Sequence, residues 1–480
     1  MDDGYLIGMD VGTTAVKAAV FDADGAIVDR YVGQYPITRQ QGGRVEQDPE
    51  DWMRHVLAAL SQFQANVDLA RVHALGLSSQ VNTHVFVDAE GRALAPAIVW
   101  QDGRAAAEAA ELDGRIAEAD KLAWWGAPLP VDASHCLSRM AHMARHAPDI
   151  WARTDKVLLP KDFCIGRLTG ARLTDPISNV GLIDPGLCHV APLLSLVDGA
   201  AERLVPIAPM TAIAGEVRQG LPGAGLKVAI GTMDAWSGML GVGVTAPGQA
   251  YYLSGTSEIV GIVSDDVAPT PGVIAFPRCE GIRLHVGPTQ SGGASKDWFC
   301  RLMGIAPDAM ADLAARAGAR AHVPLFVPHL QGERAPIWDA DARGMFLELD
   351  ASAGAPELAR AVYEGVAHSA RWLLDTLRQS AVQAPQSVRS GGGGFRSDVW
   401  NQIRADVLGV RLERVAVTDP GVLGAAGIAS VAAGLHTSLA EAFDALVSID
   451  RVYEPDPAMA PYYDERFARY KRAYFNNNRR

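Results

Sequence analysis

Two segments with the same pattern, one near the start of the chain and one just past its middle, constrain the fold more than any other feature. Residues 5–22 (YLIGMDVGTTAVKAAVFD) place a glycine turn between apolar runs that predict the strands Leu6–Met9 and Val16–Phe21. Residues 249–265 (QAYYLSGTSEIVGIVSD) repeat this order of apolar run, turn and apolar run. The repetition predicts a duplicated domain, in which each half opens with a β-hairpin.

The side chains at these two turns are suited to phosphate oxygens. Backbone N–H groups at a glycine turn, together with the hydroxyls of Thr13 and Thr14 and the ammonium of Lys17, make a natural phosphate cradle. Gly255 and Thr256 offer the same chemistry in the second copy. The first segment is not a Walker pattern, because no GxxxxGK[ST] opens a helix there. The first segment alone fits an ordinary hairpin equally well, and the second copy favours phosphate binding by both halves.

Two aspartates are candidates for work on a phosphate or a hydroxyl. Asp10 lies at the mouth of the first turn, where a carboxylate can hold a divalent ion through water, as Mg²⁺ prefers. Asp234 follows the predicted strand Val228–Ile230 and Gly231, at the start of a predicted helix. A carboxylate there can act as a general base. The alternative is a plain helix N-cap, which the spacing alone favours.

Polar residues also follow the predicted strand Val72–Ser79. Gln80 and Asn82 lie at its carboxyl end, where ligands of α/β folds usually bind, and are candidates for hydrogen bonds to a hydroxylated substrate. For each residue alone, a polar turn cap is the favoured alternative. Asp102 and Arg104 follow another short strand, and we interpret them as a buried ion pair.

The second half contains two further glycine-rich segments. Gly293 opens a predicted helix and could approach a phosphate there, although a simple turn fits as well. Residues 390–394 (SGGGG) precede the predicted helix Asp398–Leu408, and such a run allows close approach of a flat or phosphorylated ligand. A bare linker is the alternative, which the position between a strand and a helix disfavours.

Length and charge limit the possible architectures and partners. A chain of 480 residues exceeds what one hydrophobic core usually supports, so we expect two domains. The net charge is −12, and we expect neither nucleic acid nor a membrane as a partner. Five scattered cysteines without CxxC spacing argue against a disulfide framework and a zinc site. With no signal peptide and no bilayer-spanning run in the sequence, a cytoplasmic location is expected.

Ten motifs in register along almost the whole chain resemble the FGGY carbohydrate kinases, and within them the xylulokinase branch. They are DVGTTAVKAAVFD, VEQDPEDW, LGLSSQ, AIVWQDGR, LLPKDF with RLTG, GTMDAWSG, LSGTSE, GERAPIWDADARG, SGGGGFRSDVWNQIRADVLG and YEPDPAMAPYYDERFARYKRAY. The resemblance implies two actin-like (ribonuclease-H-like) α/β domains with an active-site cleft between them. Residues 1–245 would form an N-terminal sugar-binding domain, and residues 246–480 a C-terminal ATP-binding domain.

The resemblance also implies ATP and Mg²⁺ as cofactors and a role for each matching residue. Asp234 would be the catalytic base, and Asp10 with Asp234 would be associated with the metal. The residues expected at the nucleotide are Thr13, Thr14, Lys17, Gly255, Thr256, Gly293, Gly392, Gly393 and Ser397. Those expected at the sugar are Gln80, Val81, Asn82, Asp234 and Ala235.

The sequence departs from the xylulokinase pattern in the predicted sugar pocket. Xylulokinases commonly carry Gln-Met-His-Gly where this chain has Gln80-Val81-Asn82-Thr83, and often have Asn where it has Ala235. Two hydrogen-bonding groups are thereby lost. The expected reaction is ATP-dependent phosphorylation of a primary hydroxyl of a small sugar, such as the pentulose xylulose, by a possible homodimer. The alternatives are a glycerol or other polyol kinase, an actin-like ATPase, and a sugar sensor that has lost catalysis.

Overall fold

A computed structural model describes residues 4–318 and 322–477. Over these ranges the strands are β1 (Tyr5–Val11), β2 (Ala15–Phe21), β3 (Ile27–Gln34), β4 (Thr38–Arg39), β5 (Val45–Gln47), β6 (Val72–Ser79), β7 (Val85–Val87), β8 (Ala97–Ile98), β9 (Lys156–Leu158), β10 (Ile213–Glu216), β11 (Lys227–Ala229), β12 (Thr232–Met233), β13 (Ala250–Ser254), β14 (Glu258–Val263), β15 (Ile274–Ala275), β16 (Leu284–Pro288), β17 (Leu325–Val327), β18 (Met345–Leu347), β19 (Ser387–Gly391), β20 (Arg411–Val415) and β21 (Ile449–Tyr453).

The helices of the same ranges differ widely in length. They are α1 (Pro49–Asn66), α2 (Ala106–Gly114), α3 (Glu118–Trp125), α4 (Cys136–His146), α5 (Pro148–Arg153), α6 (Pro160–Thr169), α7 (Ala191–Leu194), α8 (Asp234–Gly241), α9 (Gly293–Met303), α10 (Ala309–Arg316), α11 (Ala355–Ala381), α12 (Asp398–Leu408), α13 (Pro420–Ala432), α14 (Leu439–Leu446) and α15 (Ala460–Asn477). None of them within the described ranges is both long enough and apolar enough to cross a lipid bilayer.

The chain divides into two units. Unit 1 contains the described residues up to Gly243 together with Phe276–Gly281 and Pro420–Val447. Unit 2 contains Val244–Ala275, Ile282–Asp419 and the described residues from Ser448 onward. The first border lies close to the predicted boundary after residue 245. A single boundary nevertheless does not describe the division, because two later segments pack with unit 1.

Each unit is built on a mixed sheet, and the two sheets have the same topology. The strand order is β3-β2-β1-β6-β11-β10 in unit 1 and β16-β14-β13-β19-β20-β21 in unit 2, where β15 adds an outer strand. In both sheets the first three strands are antiparallel neighbours, the next two pairings are parallel, and the last strand is antiparallel. The predicted duplication is thus present in strand order and strand direction.

Helices cover both faces of the sheet in unit 1. Leu75 and Leu77 of β6 share a buried cluster with residues of α1 and α6. Gly76 lies between them and points to the opposite face, since side chains alternate along a strand. A Cβ on Gly76 would lie 1.9 Å from the carbonyl oxygen of Ala425 in α13, and a Cβ on its partner Gly8 would lie 1.9 Å from that of Val422. Only glycine lets α13 pack this closely on β1 and β6.

The core of unit 2 contains a buried histidine on its longest helix. His368 lies in α11, is fully buried, and stacks on Phe467 with ring centroids 5.9 Å apart. Neither ring nitrogen has a hydrogen-bond partner within the described part of the chain. Burial lowers the pKa of His368 well below its ordinary value, and the positive charges of Arg466 and Arg371 lower it further. His368 is therefore neutral in the folded protein.

We expect this histidine to make the protein less stable in acid. Below the unfolded pKa of about 6.5 the unfolded chain binds a proton that the native state does not, so stability rises with pH and is lost as pH falls. Between pH 6.5 and pH 5 the loss is about 2 kcal/mol for one such group. His368→Phe should flatten this slope in urea unfolding, whereas the exposed His322→Gln should not. Equal slopes for wild type and His368→Phe would contradict the assignment.

Candidate active site

The first predicted phosphate hairpin has the geometry that the sequence indicated. β1 and β2 pair from Leu6 opposite Phe21 to Val11 opposite Val16, and the N–H of Gly12 donates to the carbonyl of Ala15 at 3.1 Å. The register places Asp10 opposite Lys17, and the side chains of Thr14 and Lys17 are exposed. The turn thus presents one hydroxyl and one ammonium group to solvent.

Thr13, at the same turn, is held from two sides. The indole N–H of Trp100 donates to the Thr13 hydroxyl at 3.0 Å, and the Gln47 side-chain amide donates to the Thr13 carbonyl at 2.5 Å. Indole is a donor only, so the Thr13 oxygen must accept this bond and its own hydrogen points elsewhere. The hydroxyl of Thr13 is therefore oriented as a donor to a further acceptor.

The first turn of helix α13 lies next to the side chain of Asp10. The Ser237 hydroxyl on α8 donates to the carbonyl of Gly421 at 2.7 Å, which fixes the start of α13. A Cβ on Gly421 would lie 3.4 Å from Asp10 Oδ2, so any larger residue would fill the space beside this carboxylate. A partly exposed carboxylate with open space beside it fits a hydrated Mg²⁺, which usually keeps several of its waters.

Gln80 is tied to the hairpin. Its N–H donates to the carbonyl of Val11 at 3.0 Å, and its side-chain amide donates to Gln47 Oε1 at 2.8 Å. Gln80 is 1% exposed, and its Oε1 has no hydrogen-bond partner in residues 4–318 and 322–477. A buried acceptor of this kind is costly unless a ligand group donates to it.

Asn82 and Val81 follow in a loop that is clamped by a buried arginine. Asn82 has a φ of 54° and donates from its side chain to the Ser134 hydroxyl at 3.3 Å. Arg139 is fully buried and donates to the carbonyl of Asn82, and to that of Val99 at 2.6 Å. Burial lowers the pKa of Arg139 to about 10, so it stays charged at neutral pH. Val81 and Asn82 are both partly exposed.

Asp234 lies at the junction of β12 and α8. Gly231, just before β12, has a φ of 68°, and a Cβ there would lie 1.7 Å from the carbonyl of Leu77. The helix begins at Asp234 with Met233 as the N-cap residue, so the plain N-cap interpretation of Asp234 is wrong. Asp234 Oδ1 accepts from the N–H of Ala235 at 2.8 Å, and both residues are partly exposed.

A cluster of buried charged side chains packs against this junction and holds it in place. The Thr232 hydroxyl, two residues before Asp234, donates to Asp175 Oδ2 at 2.9 Å. Lys161 forms ion pairs with Asp162 at 2.6 Å and Asp175 at 2.9 Å, and all three charged side chains are almost fully buried. Burial opposes the charge on Lys161, but the two carboxylates outweigh it and raise the pKa of Lys161. The cluster therefore fixes β12 through a charged network.

The second predicted hairpin, in unit 2, is joined to the start of α9. The N–H of Gly255 donates to the carbonyl of Ser257 at 2.9 Å, and Gly255 and Thr256 are exposed. The N–H of Gly293 donates to the carbonyl of Gly255 at 3.0 Å, and a Cβ on Gly293 would lie 2.5 Å from that oxygen. Gly293 thus lets the helix contact the turn, and its own N–H is engaged there.

A fully buried ion pair links this hairpin to the glycine run. Arg404 of α12 donates to Glu258 at 2.7 Å, to the Ser254 hydroxyl at 2.9 Å and to the carbonyl of Gly394 at 2.8 Å. Its guanidinium lies 3.8 Å from the centroid of the Trp400 ring. Although Arg404 favours the charged carboxylate, burial has the larger effect and raises the pKa of Glu258.

The glycine run follows β19 and precedes α12, as the sequence predicts. Gly392 has a φ of 92°, and a Cβ there would lie 2.7 Å from the carbonyl of Ser254. Gly393 is exposed, and no described atom lies within 4 Å of the place its Cβ would take. Ser397 is the N-cap of α12 and accepts from the N–H of Trp400 at 3.3 Å. Gly393 therefore has room for a ligand, and Ser397 has a structural role in capping.

Several supporting residues were not predicted from the sequence. These residues hold the candidate residues in place, and all except the partly exposed Trp100 are buried: Gln47, Trp100, Arg139, Lys161, Asp175, Glu258 and Arg404. A possible signal was a charged residue inside an apolar stretch, as in LLPKDFCIG or YYLSGTSEIVGIV. The predicted ion pair of Asp102 and Arg104 is confirmed, with an N–O distance of 2.7 Å.

Comparisons with known proteins identify the family of the chain. Two family models match the chain: the N-terminal domain of the FGGY family of carbohydrate kinases over residues 5–241, and the C-terminal domain over residues 250–433. A xylulose kinase from Escherichia coli (strain K12) is 31% identical over 98% of each chain. A glycerol kinase from Gloeobacter violaceus is 30% identical over 94% of this chain and 92% of its own.

Solved structures show the same fold. A gluconate kinase from Lactobacillus acidophilus superposes with a TM-score of 0.89 at 26% identity, covering 98% of this chain and 97% of that one. The predicted fold class of two actin-like α/β domains is confirmed. Because the two family models cover most of the chain and a relative above 30% identity spans almost all of it, this protein is a member of the FGGY family of carbohydrate kinases, and so an ATP-using sugar kinase.

Proposed function

We propose that the protein transfers the terminal phosphoryl group of ATP to a primary hydroxyl of a pentulose such as xylulose. The observation that carries the proposal is the position of Asp234, a partly exposed carboxylate at the first residue of α8 whose junction is fixed by Gly231 and by the Thr232–Asp175 bond. The similarity to the Escherichia coli xylulose kinase supports this choice of sugar.

In this proposal unit 1 binds and activates the sugar. Asp234 accepts the proton of the attacking hydroxyl, which is the main covalent assistance that phosphoryl transfer needs from a protein. The buried Oε1 of Gln80 supports a second contact, because a sugar hydroxyl can donate to it. Asn82 offers a polar side chain at the same strand end, and Val81 and Ala235 complete the predicted pocket without polar groups.

Phosphate binding is assigned to backbone and hydroxyl groups of each hairpin. Thr13, oriented by Trp100, donates to a phosphate oxygen, with Thr14 and Lys17 beside it. Gly255 and Thr256 offer the corresponding groups in unit 2, where Gly293 acts by holding α9 against the turn. Donors that are already in place stabilise developing charge without reorganisation.

Adenosine is assigned to the glycine run of unit 2. Gly393 leaves space for a flat base, Gly392 lets the run pass close to the carbonyl of Ser254, and Ser397 caps α12 next to them. Residues 1–245 would thus form the sugar-binding domain and residues 246–480 the ATP-binding domain, except that α13 belongs to unit 1 and lies against Asp10.

Mg²⁺ is assigned to Asp10, with Asp234 as the second carboxylate. The ion, when bound with ATP, would neutralise charge on the phosphates. The contribution of the chain is the open space beside Asp10 that Gly421 leaves. A homodimer, a cytoplasmic location and the absence of nucleic-acid partners stay predictions.

A screen of coupled ADP release over ketoses, polyols, aldoses and sugar acids tests the proposed function. We expect sugar-dependent release with the highest kcat/KM for xylulose. A glycerol kinase is the second candidate, since a glycerol kinase is 30% identical and the sugar pocket lacks two expected polar groups. Release with glycerol alone would select that candidate. Sugar-independent ATP hydrolysis, or ATP binding without turnover, would reject both in favour of an ATPase or a sensor.

Gly393→Val should weaken ATP binding without destabilising the fold. The new side chain enters space that no described atom occupies, and the φ of Gly393 is not in the left-handed region. We expect at least a tenfold rise in Kd for ATP, which corresponds to about 1.4 kcal/mol, with an unchanged Tm.

Gly394→Val is the matched comparison. There a Cβ would lie 2.0 Å from the Ser254 hydroxyl, so this variant should lose stability as well as affinity. Calorimetric titration and thermal unfolding of both variants separate the two effects. An unchanged ATP affinity in Gly393→Val would count against an adenosine site at this run.

A further inference from the structure

Three metal-ligating side chains meet between two helices of unit 1, apart from every residue assigned to catalysis. Glu108 lies on α2, and His142 and His146 lie one turn apart on α4. Glu108 Oε2 is 3.2 Å from Nδ1 of His142, and Oε1 is 2.9 Å from Nε2 of His146. Among the described residues, this is the one group of three or more such ligands close enough to share an ion.

We propose that Glu108, His142 and His146 form a binding site for a zinc ion that joins α2 to α4. Two imidazole nitrogens and one carboxylate are a known zinc ligand set, with a fourth position left to water. Histidines four residues apart project from the same side of a helix, so both rings reach the same ion. This site goes beyond the proposed kinase function and does not depend on it.

The spacing suits a tetrahedral ion. Ligand atoms about 2.0–2.1 Å from zinc lie roughly 3.3 Å from one another. One ligand atom from each of the three residues lies within 4.8 Å of the other two. The two contacts of Glu108, made by different carboxylate oxygens at 3.2 and 2.9 Å, are close to the spacing that zinc needs. The His146 side chain is 53% exposed and can rotate to close the remaining gap and admit a water ligand.

The hydrogen bonds of the group show how an ion would bind. A carboxylate only accepts hydrogen bonds, so without metal each ring donates to Glu108 from the nitrogen that faces it. Zinc would bind a neutral ring at that nitrogen, with the ring hydrogen carried on the other nitrogen.

The side chain of Arg145 would compete with a zinc ion for the carboxylate of Glu108. Arg145 Nη1 lies 3.3 Å from Glu108 Oε1, and its Nη2 lies 2.8 Å from Glu111. The Arg145 side chain is 48% exposed, so it can keep its bond to Glu111 and move away from Glu108.

The ligand set decides which metal fits. The scattered cysteines argue against a cysteine-ligated zinc site, but the ligands here are two histidines and a glutamate, to which that argument does not apply. The mixed nitrogen and oxygen set disfavours Mg²⁺, which prefers oxygen ligands in octahedral geometry.

Zinc binding to the full chain, without nucleotide and after removal of bound metal, tests the proposal. The titration uses a competing chromophoric chelator, in a Cys188→Ser background because that thiol is exposed. We expect one zinc ion per chain, a rise in Tm with zinc, and no rise with Mg²⁺ at the same concentration. His146→Gln should weaken zinc binding at least tenfold and remove the rise in Tm.

Two further variants test whether zinc binding depends on this site rather than on histidines elsewhere in the chain. Arg145→Gln should bind zinc more tightly than wild type, because it removes a competing positive charge. His322→Gln changes an exposed histidine that pairs with Asp350 at 3.1 Å, and it should bind zinc as wild type does. The proposal is overturned if wild type binds no more zinc than the His142→Gln/His146→Gln double variant, or if His322→Gln loses as much affinity as His146→Gln.

Discussion

Asp234→Ala is expected to slow sugar phosphorylation by about 10²–10⁴-fold, the usual contribution of a positioned general base. The affinity for ATP should stay nearly unchanged, because the variant keeps every residue assigned to adenosine and to the phosphates. The loss should appear in kcat, since the base acts on the hydroxyl as it attacks. Steady-state kinetics with xylulose and calorimetric titration with ATP measure the two quantities separately.

Asp234→Asn is the matched control for this change. Its side-chain oxygen can still accept from the N–H of Ala235, as Asp234 Oδ1 does at 2.8 Å, so the start of α8 is preserved. The asparagine variant should be as inactive as the alanine variant and as stable as wild type. Turnover near that of wild type in either variant would reject the base assignment. A parallel loss of ATP affinity would assign Asp234 to nucleotide binding.

Arg404→Met is expected to lower stability by about 3–5 kcal/mol, because it leaves the buried Glu258 carboxylate without its partner. The same change removes the bonds to Ser254 and Gly394, which hold the second hairpin and the glycine run together. ATP affinity should therefore fall with stability. Urea unfolding and nucleotide titration at a temperature where the variant remains folded measure both.

The double variant Arg404→Met/Glu258→Met separates two effects of the single change: the cost of an unpaired buried charge, and the loss of the bonds that position the two loops. Replacing both charges with apolar groups should recover much of the stability, since no buried charge is left alone. ATP affinity should stay low, because neither methionine can hold Gly394 or Ser254. The pair of Arg411 and Glu413, whose side chains are 46% and 19% exposed, provides a control, and Arg411→Met should cost no more than about 1 kcal/mol. Recovery of ATP affinity in the double variant would show that the ion pair does not position the loops.

The duplicated hairpins were predictable from local pattern. Apolar runs on either side of Gly12 and Gly255 predict a turn between two strands, and the repeat predicts a second domain with the same start. The structure extends this likeness to six strands in each sheet, with matching directions. Strand and helix positions near Asp234 and the glycine run were likewise close to their predicted places, because glycine turns and helix starts are local features.

Features that depend on distant residues could not be predicted. The return of α13 to unit 1 depends on Gly8 and Gly76, which become informative only when β1 and β6 are known to be neighbours. At Gln80 the side-chain nitrogen bonds to Gln47, and the side-chain oxygen is buried with no hydrogen-bond partner among the described residues. This arrangement depends on a contact between residues 33 positions apart. Asp234 looked like a helix cap because spacing alone cannot place the N-cap one residue earlier, at Met233.

The position of the bound sugar tests the central claim most directly. A crystal structure with xylulose and an unreactive ATP analogue should place the accepting hydroxyl within about 2.6–3.2 Å of a carboxylate oxygen of Asp234, the range a general base requires. A sugar whose hydroxyls all lie farther from Asp234 than a single bridging water can span would contradict the account.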